Sequence, residues 1–501
     1  MQPTFFADSN IAYFGHDIHS CIYTILFILY NIYIYIKLYK YIIYRRILYS
    51  FIQELCTETN RYASTKLDPK WTDVSIEELR AYLGLRVYMS VLSLPNLNMY
   101  WSTDHMFGNQ FAHKVMKRDR FDKISQYIHA CDTSSNPPRG QPNHDRLAHV
   151  RGILENIRRK CINNFHPNQN ISIDEAMIAF RGRLGWRQYV PGKPTKYGIK
   201  AWVRADPHTG YLSDFQIYTG KNGDKPEFGL GGRVVKDLTR DITGVNHIVN
   251  CDNYFTSPEL FESLLDDGLY ARGTVRENRK GYPKGMLNCS LKQQGCSISA
   301  QKGEMVATRW RDKRVISFLS TIDNATEDTT VIRKTRDGAG RSVDAPMVVK
   351  QYNEHMNGVD RHDQVRTEYS TYRKSNKWWH YIFWFLFDVS IANGYILMRE
   401  SKNHQLTSQK GNSKHRDQLS FRKSLANQLI GHARFGRKRS LTPNIDPNGV
   451  SHWPIKGVRG RCRWCYMQGR GRREPAVRCD ACNIPLCVPC FKPYHLAKER
   501  M

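Results

Sequence analysis

An aspartate inside an apolar strand pattern is the feature that most restricts what this chain can become. Residues 171–183 read ISIDEAMIAFRGR. The alternation is that of a strand, with Ile171, Ile173 and Glu175 on one face and Ser172, Asp174 and Ala176 on the other. Asp has poor strand propensity, and burying an isolated carboxylate is unfavourable. A bound cation removes that cost. Two other stretches offer matching acids. Residues 247–255 (HIVNCDNYF) read as an apolar strand ending at Asp252, and residues 357–363 (NGVDRHD) carry Asp360 and Asp363. If the latter segment is helical, Asp360 and Asp363 share a face. Three acids from distant segments, Asp174, Asp252 and Asp360, make a site for divalent metal.

The elements around these acids limit the fold class to α/β. After Arg183, residues 198–204 alternate, 206–210 form a turn and 211–218 alternate again. Residues 230–241 read as a crossover helix, 245–252 as a buried strand, and 258–267 as a helix stopped by Gly268. Strand, hairpin, helix, strand, with acids on the first and fourth strands, is the order of a ribonuclease H-like catalytic domain. It is expected to cover residues 169–280 and 347–371. Residues 281–346 are rich in Gly, Lys and Arg and read as an insertion, with a hairpin from Glu304 to Ser320.

Helices flank this domain. Ser75 with Glu78 three residues on is a capping-box start. Residues 116–130 and 150–165 read as amphipathic helices. Residues 378–397 (WWHYIFWFLFDVSIANGYIL) are apolar nearly all round, and His380, Asp388 and Asn393 inside the run favour a buried core helix over a membrane span. Residues 1–50 are a separate oddity, an atypical Ile/Tyr-rich leader. Residues 21–36 (CIYTILFILYNIYIYI) fall short of the ~20 apolar residues that a span needs, and no basic region precedes them as in a signal peptide. No membrane partner is expected.

Charge points to the partner. Lys and Arg number 75 against 46 Asp and Glu, a formal net charge of +29. That surplus suits a polyanion, most simply DNA. Arg181, Arg183, Lys193, Lys196 and Lys200 lie next to the first acid and are candidates for holding phosphates. Residues 432–440 (HARFGRKRS) read either as a nuclear-import signal or as a solvated tether.

Cysteine usage is uneven, with six of the 13 between Cys462 and Cys490. Cys462 with Cys465, Cys479 with Cys482, and Cys487 with Cys490 are three CxxC pairs, followed by His495. Paired thiolates at this spacing grip tetrahedral zinc; disulfides are the alternative. An interleaved arrangement joins the first pair with the third. The second pair then needs His495 and one more ligand, for which His452 is the best candidate. Two zinc ions are expected in residues 441–501.

In order, SIDEAMIAFRGR, QYVPGKPTKYGIKAW, CDNYFTS, RGTVREN, YNEHMNGVDRHDQ and the Cys/His module resemble a piggyBac-type transposase from about Phe51 to the C-terminus. The resemblance implies a nuclear cut-and-paste DNA transposase acting as a homodimer on transposon ends and TTAA targets. It places catalytic Mg²⁺ or Mn²⁺ on Asp174, Asp252 and Asp360, with Asp363 auxiliary. It also implies a DNA-binding and dimerisation domain split between residues 51–168 and 372–440, and a cysteine-rich module that contacts transposon-end DNA. The family's acidic leader is missing here. A domesticated DNA-binding protein without cleavage activity and a metal-dependent nuclease outside transposition are the rival expectations.

Overall fold

The computed structural model describes residues 50–431 and 452–498, apart from 105, 108–109, 222–226, 336–337, 402–405, 408–412 and 415–416. The leader run at 21–36 and the basic stretch 432–440 lie outside the described residues. The chain divides into two compact units, Met1–Phe435 and Gly436–Met501.

A nine-stranded mixed sheet organises the first unit, in the order β2-β3-β1-β5-β6-β9-β8-β7 with β4 on β3. The strands are β1 (Asn170–Ala179), β2 (Gln188–Tyr189), β3 (Tyr197–Ala205), β4 (Leu212–Ile217), β5 (Ile248–Cys251), β6 (Tyr270–Thr274), β7 (Ser297–Lys302), β8 (Met305–Arg311) and β9 (Val315–Ser320). β1 runs antiparallel to β3 and parallel to β5. The β3–β4 turn is built by Asp206, whose carboxylate accepts from the backbone N–H groups of His208 and Thr209, and by Gly210 at φ 78°. Two helices cross over between strands, α6 (Leu230–Thr239) before β5 and α7 (Pro258–Asp266) before β6.

The two faces of β1 bury against different layers. Ile171 and Ile173 join Val234, Leu238 and Phe261 of the crossover helices, whereas Ala176 and Ile178 join a larger cluster. That cluster combines α1 (Ser50–Ser64), α2 (Ile76–Val91), α4 (Arg118–Tyr127) and α5 (Arg151–Asn163) with α10 (Trp379–Glu400) and α11 (Gln418–Ile430). α3 is the short helix Gln110–Val115. As the pattern predicts, Ser75 caps α2, its Oγ accepting from the Glu78 N–H at 3.1 Å.

Residues 281–346 do more than decorate the sheet. β7, β8 and β9 continue it from the edge of β6, while β10 (Asp328–Lys334) and β11 (Gly340–Pro346) form a separate ribbon. The local hairpin is visible in the sequence. The pairing of β9 with β6 joins Arg272 to Ser320, a contact between distant segments that local periodicity does not carry. After the ribbon come α8 (Met347–His355) and α9 (Gly358–Glu368).

α10 is apolar all round because it is enclosed all round. Its composition would suit a membrane span, yet 89% of its apolar window is buried in the protein. Asp388 and Asn393 inside it are partnered. Asp388 accepts from the Thr371 N–H at 3.1 Å and the Thr371 hydroxyl at 2.8 Å. The Asn393 amide accepts from the Leu212 N–H at 3.0 Å and donates to the Leu212 carbonyl at 2.8 Å, so it completes the free edge of β4 as a neighbouring strand would.

The second unit has little apolar core. β12 (Pro454–Lys456) pairs with β13 (Val477–Cys479), and α12 (Arg463–Met467) and α13 (Val488–Lys498) complete it. Its buried cluster is Cys462, Cys465, Leu486, Cys490 and Tyr494, so thiols make up most of it.

Asn393→Ala leaves both Leu212 backbone groups buried without a partner. At about 1–3 kcal/mol for each orphaned group, unfolding free energy should fall by at least ~2 kcal/mol. Urea titration of the purified variant measures this, and an unchanged midpoint would show that the β4 edge does not depend on α10.

Candidate metal centres

The first centre forms where two strands part. Pairing of β1 with β5 runs from Asn170↔Ile248 to Ile173↔Cys251 and stops there. The next residues on the two strands are Asp174 and Asp252. One carboxylate oxygen from each, and one from Glu175, lie within 4.8 Å of one another. Adjacent residues on a strand normally point to opposite faces. Past Ile173 the β5 side of β1 is open, and the longer Glu175 side chain reaches round it. The sequence reading put Glu175 on the apolar face of β1 and assigned it no ligand role. No local signal marked it: Lys200, two residues from Glu175's partner Trp202, is brought near Glu175 only by the antiparallel register of β1 and β3.

Local hydrogen bonds hold the acids. The Glu175 N–H donates to Asp174 Oδ1 at 2.7 Å, and the Tyr254 N–H donates to Asp252 Oδ1 at 2.9 Å. Two ammonium groups face the three carboxylates. Lys193 Nζ lies 3.4 Å from Asp174 and 3.8 Å from Glu175, and Lys200 Nζ lies 3.6 Å from Glu175. Lys200 also sits 3.7 Å over the Trp202 ring, whose indole stacks on Tyr254 at 5.3 Å.

The electrostatics follow from burial and like charge. Burial, helped by Glu175 and Asp252, pushes the Asp174 carboxyl up to about 7 against the pull of Lys193. Burial also raises Asp252. Burial pulls the Lys193 amine down, but Asp174, Glu175 and Asp360 outweigh it and leave it raised. For Lys200 burial prevails and the amine is lowered.

Asp360 is exposed in the first turn of α9 and stands outside the group of three, although its charge reaches Lys193. α9 is brought onto β1 by Gly358, where a Cβ would come 2.3 Å from Ser172 Oγ. Asp363 is engaged by its own helix, accepting from Arg366 Nη2 at 2.8 Å. Of the cations proposed for phosphates, Lys193 and Lys200 face the acids, whereas Arg181, Arg183 and Lys196 are exposed.

The second unit brings its ligand atoms together in two groups. Cys462, Cys465, Cys487 and Cys490 form one, and His452, Cys479, Cys482 and His495 the other, each within 4.8 Å. All eight residues are those singled out in the sequence, and the pairs interleave. The Cys465 and Cys490 sulfurs are 3.6 Å apart, far from bonded and close to the ~3.8 Å edge of a tetrahedron with Zn–S bonds of ~2.3 Å. His452 Nδ1 lies 3.2 Å from the Cys479 sulfur and 3.1 Å from that of Cys482. His495 Nδ1 is 2.7 Å from the Phe491 carbonyl, so it carries the proton and Nε2 is left as the ligand atom. Burial raises the Cys462 thiol, but the Cys465 and Cys487 backbone N–H groups pointing at it bring it down to about 7.

Comparison with known proteins agrees with this division. A family model described as "Transposase IS4" matches residues 41–395, and one described as "DDE_Tnp_1-like zinc finger" matches 449–496. The human PiggyBac transposable element-derived protein 3 is 28% identical over 464 residues, which cover 89% of this chain and 74% of that protein. The human PiggyBac transposable element-derived protein 2 is 28% identical over 474 residues with the same coverage of each. A cryo-EM structure of a piggyBac transposase synaptic complex with hairpin DNA superposes with a TM-score of 0.67 at 26% identity, covering 90% of this chain and 95% of that one. With one transposase model spanning most of its 501 residues and a related fold along nearly its whole length, the chain belongs to the piggyBac-type transposase family.

Proposed function

We propose that the protein is a metal-dependent DNA transposase that cuts and rejoins DNA at TTAA sites. The observation that carries this reading is the convergence of Asp174, Glu175 and Asp252 at the parting of β1 and β5 in a chain of this family. The strand order supports reading residues 169–280 and 347–371 as a ribonuclease H-like domain, with the helices of 51–168 and 372–440 as the DNA-binding and dimerisation part. Action as a homodimer in the nucleus belongs to the same reading.

The residues fit a hard divalent cation. The ligand atoms are carboxylate oxygens, they crowd one point, and two ammonium groups leave the three acids short of positive charge. Mg²⁺ or Mn²⁺ held there would polarise the scissile phosphate and activate water or a DNA 3′-hydroxyl for in-line attack. Asp174 and Asp252 would be the principal ligands, Asp360 would join them from α9, and Asp363 would be the auxiliary acid. Lys193 and Lys200 neutralise part of the acids' charge and would be available to DNA phosphates if a cation took over that role. Arg181, Arg183 and Lys196 hold the backbone on either side. In the second unit the Cys462, Cys465, Cys487, Cys490 group and the His452, Cys479, Cys482, His495 group each hold one zinc ion, and the unit contacts transposon-end DNA.

A DNA-binding protein that has kept the fold and lost cleavage is the second reading. It is favoured by the human relatives, whose names describe transposable element-derived proteins.

Asp252→Ala should bind cognate transposon-end DNA as the parent does, while nicking in Mg²⁺ or Mn²⁺ falls at least about a thousandfold, the equivalent of several kcal/mol of lost transition-state stabilisation. Asp252→Asn should fail equally, because the amide keeps the size without the charge. Asp363→Ala should slow cleavage without abolishing it. Nicking by Asp252→Ala at the parental rate would remove the metal assignment, and an inactive parent that binds the same DNA would favour the second reading.

Elemental analysis of the full-length protein should find two zinc ions per chain. Cys479→Ser should lower that number and weaken binding to transposon-end DNA without altering the first unit, because the second has too little apolar core to fold on its own. A zinc-free protein with a protease-resistant second unit would contradict the ligand groups.

A further inference from the structure

Among the concavities of the first unit, one combines aromatic walls with a cationic rim. It is a cavity of about 620 Å³ between the segment 136–149 before α5, the loop before β2, residues 218–221 after β4 and Trp378 at the start of α10. Its aromatic lining includes Trp186, Trp378, His149 and Tyr218. Trp186 meets Trp378 edge-on at 5.5 Å, and Trp378 meets His149 edge-on at 5.9 Å. The rim carries three fixed cations, Arg139, Arg146 and Lys221, all exposed. The one acid in the lining, Asp145, is already bound by Arg151 at 2.8 Å, so the rim is left with a net positive charge.

The walls are held in place by the protein itself. Arg146 donates to the Thr219 carbonyl at 2.6 Å and the Lys221 carbonyl at 3.2 Å, which holds residues 219–221 in place. Gly220, at φ 90°, lets that loop press onto Trp186, where a Cβ would come 2.9 Å from the Trp186 Cβ. Tyr218 in the lining also meets Trp202 edge-on at 6.1 Å, and Trp202 is the ring beneath Lys200, which pairs with Glu175. The cavity and the acid cluster are therefore one aromatic contact chain apart.

We propose that this cavity receives a single unpaired nucleotide of the bound DNA. Aromatic side chains inside and cations at the mouth are the pairing that takes a base by its π-face and its phosphate by charge. A paired base inside a duplex cannot enter, so the cavity selects DNA that presents an unpaired or flipped-out nucleotide. The inference rests on the DNA-binding reading above and adds a distinct site and a preference to it.

The test uses the full-length protein with two probes, a blunt duplex and the same duplex extended by a short single-stranded overhang carrying 2-aminopurine. The parent should bind the overhang probe about tenfold more tightly and quench its fluorescence, as expected for one stacked base. Arg139→Ala combined with Lys221→Ala removes two exposed side chains and should leave the fold unchanged by circular dichroism. In that variant the preference should drop to about twofold or less, with blunt-duplex affinity retained. Trp378→Leu should lose the quenching. Equal affinity of the parent for the two probes would overturn the pocket while leaving DNA binding intact. So would an equal loss for both probes in the double variant, which would make the two cations ordinary duplex contacts. Competition by free dTMP as effective as that by the overhang would assign the cavity to a mononucleotide and also overturn the proposal. Binding to neither probe would remove the DNA reading as well.

Discussion

Everything at the acid cluster depends on where β1 stops pairing with β5. Four residue pairs hold the two parallel strands together, ending at Ile173 and Cys251. One residue further on, each strand presents an aspartate, and no ladder bond separates them. Burial, and after it like charge, then raise the cost of keeping both ionised, and Asp174 is pushed up to about 7. Lys193 comes in from the loop before β3 and Lys200 from β3 itself, so the protein answers its own charge crowding with cations from one neighbouring hairpin. A site so arranged is held together by electrostatic demand rather than by apolar contact, and that demand is what a divalent ion would meet.

The apolar framework makes this crowding tolerable. Crossover helices cover one face of β1, and the larger helical cluster covers the other. α10 is the axis of that second layer. Its enclosure explains a composition that would otherwise suit a bilayer, and Asp388 and Asn393 within it bond backbone groups of neighbouring segments. Asn393 closes the edge of β4, and Asp388 anchors the segment that leads from α9 into α10. Gly358 serves the same end by a different route, since only a residue without a side chain lets α9 start against Ser172. The second unit reverses the balance. It has almost no apolar core, and eight thiol and imidazole groups converge instead.

The charge of the chain fits this arrangement. The chain carries a surplus of +29, and the cations nearest the acids, Lys193 and Lys200, face inward to neutralise them. The proposed nucleotide cavity extends the scheme: it places aromatic rings behind a cationic rim, linked to the acid cluster through Tyr218 and Trp202.

Sequence alone determined the parts whose physics is local. Cys-x-x-Cys spacing brings two thiolates to one ion whatever surrounds them, so the three pairs and His495 were readable, and His452 completed the set by need. Alternation revealed β1, β3 and β4, Ser75 marked the start of α2, and the polar residues inside 378–397 showed that this helix belongs to a core. Asp174 and Asp252 stood out because acids are out of place at the end of apolar strands. Tertiary structure decided the rest. The reach of Glu175 round an open strand edge, the extension of the sheet from β6 through β9 to β7, and the position of Asp360 outside the group of three all depend on pairings between distant segments. Such pairings leave no local period, because each is set by which free edge or open face a segment meets after the chain has folded.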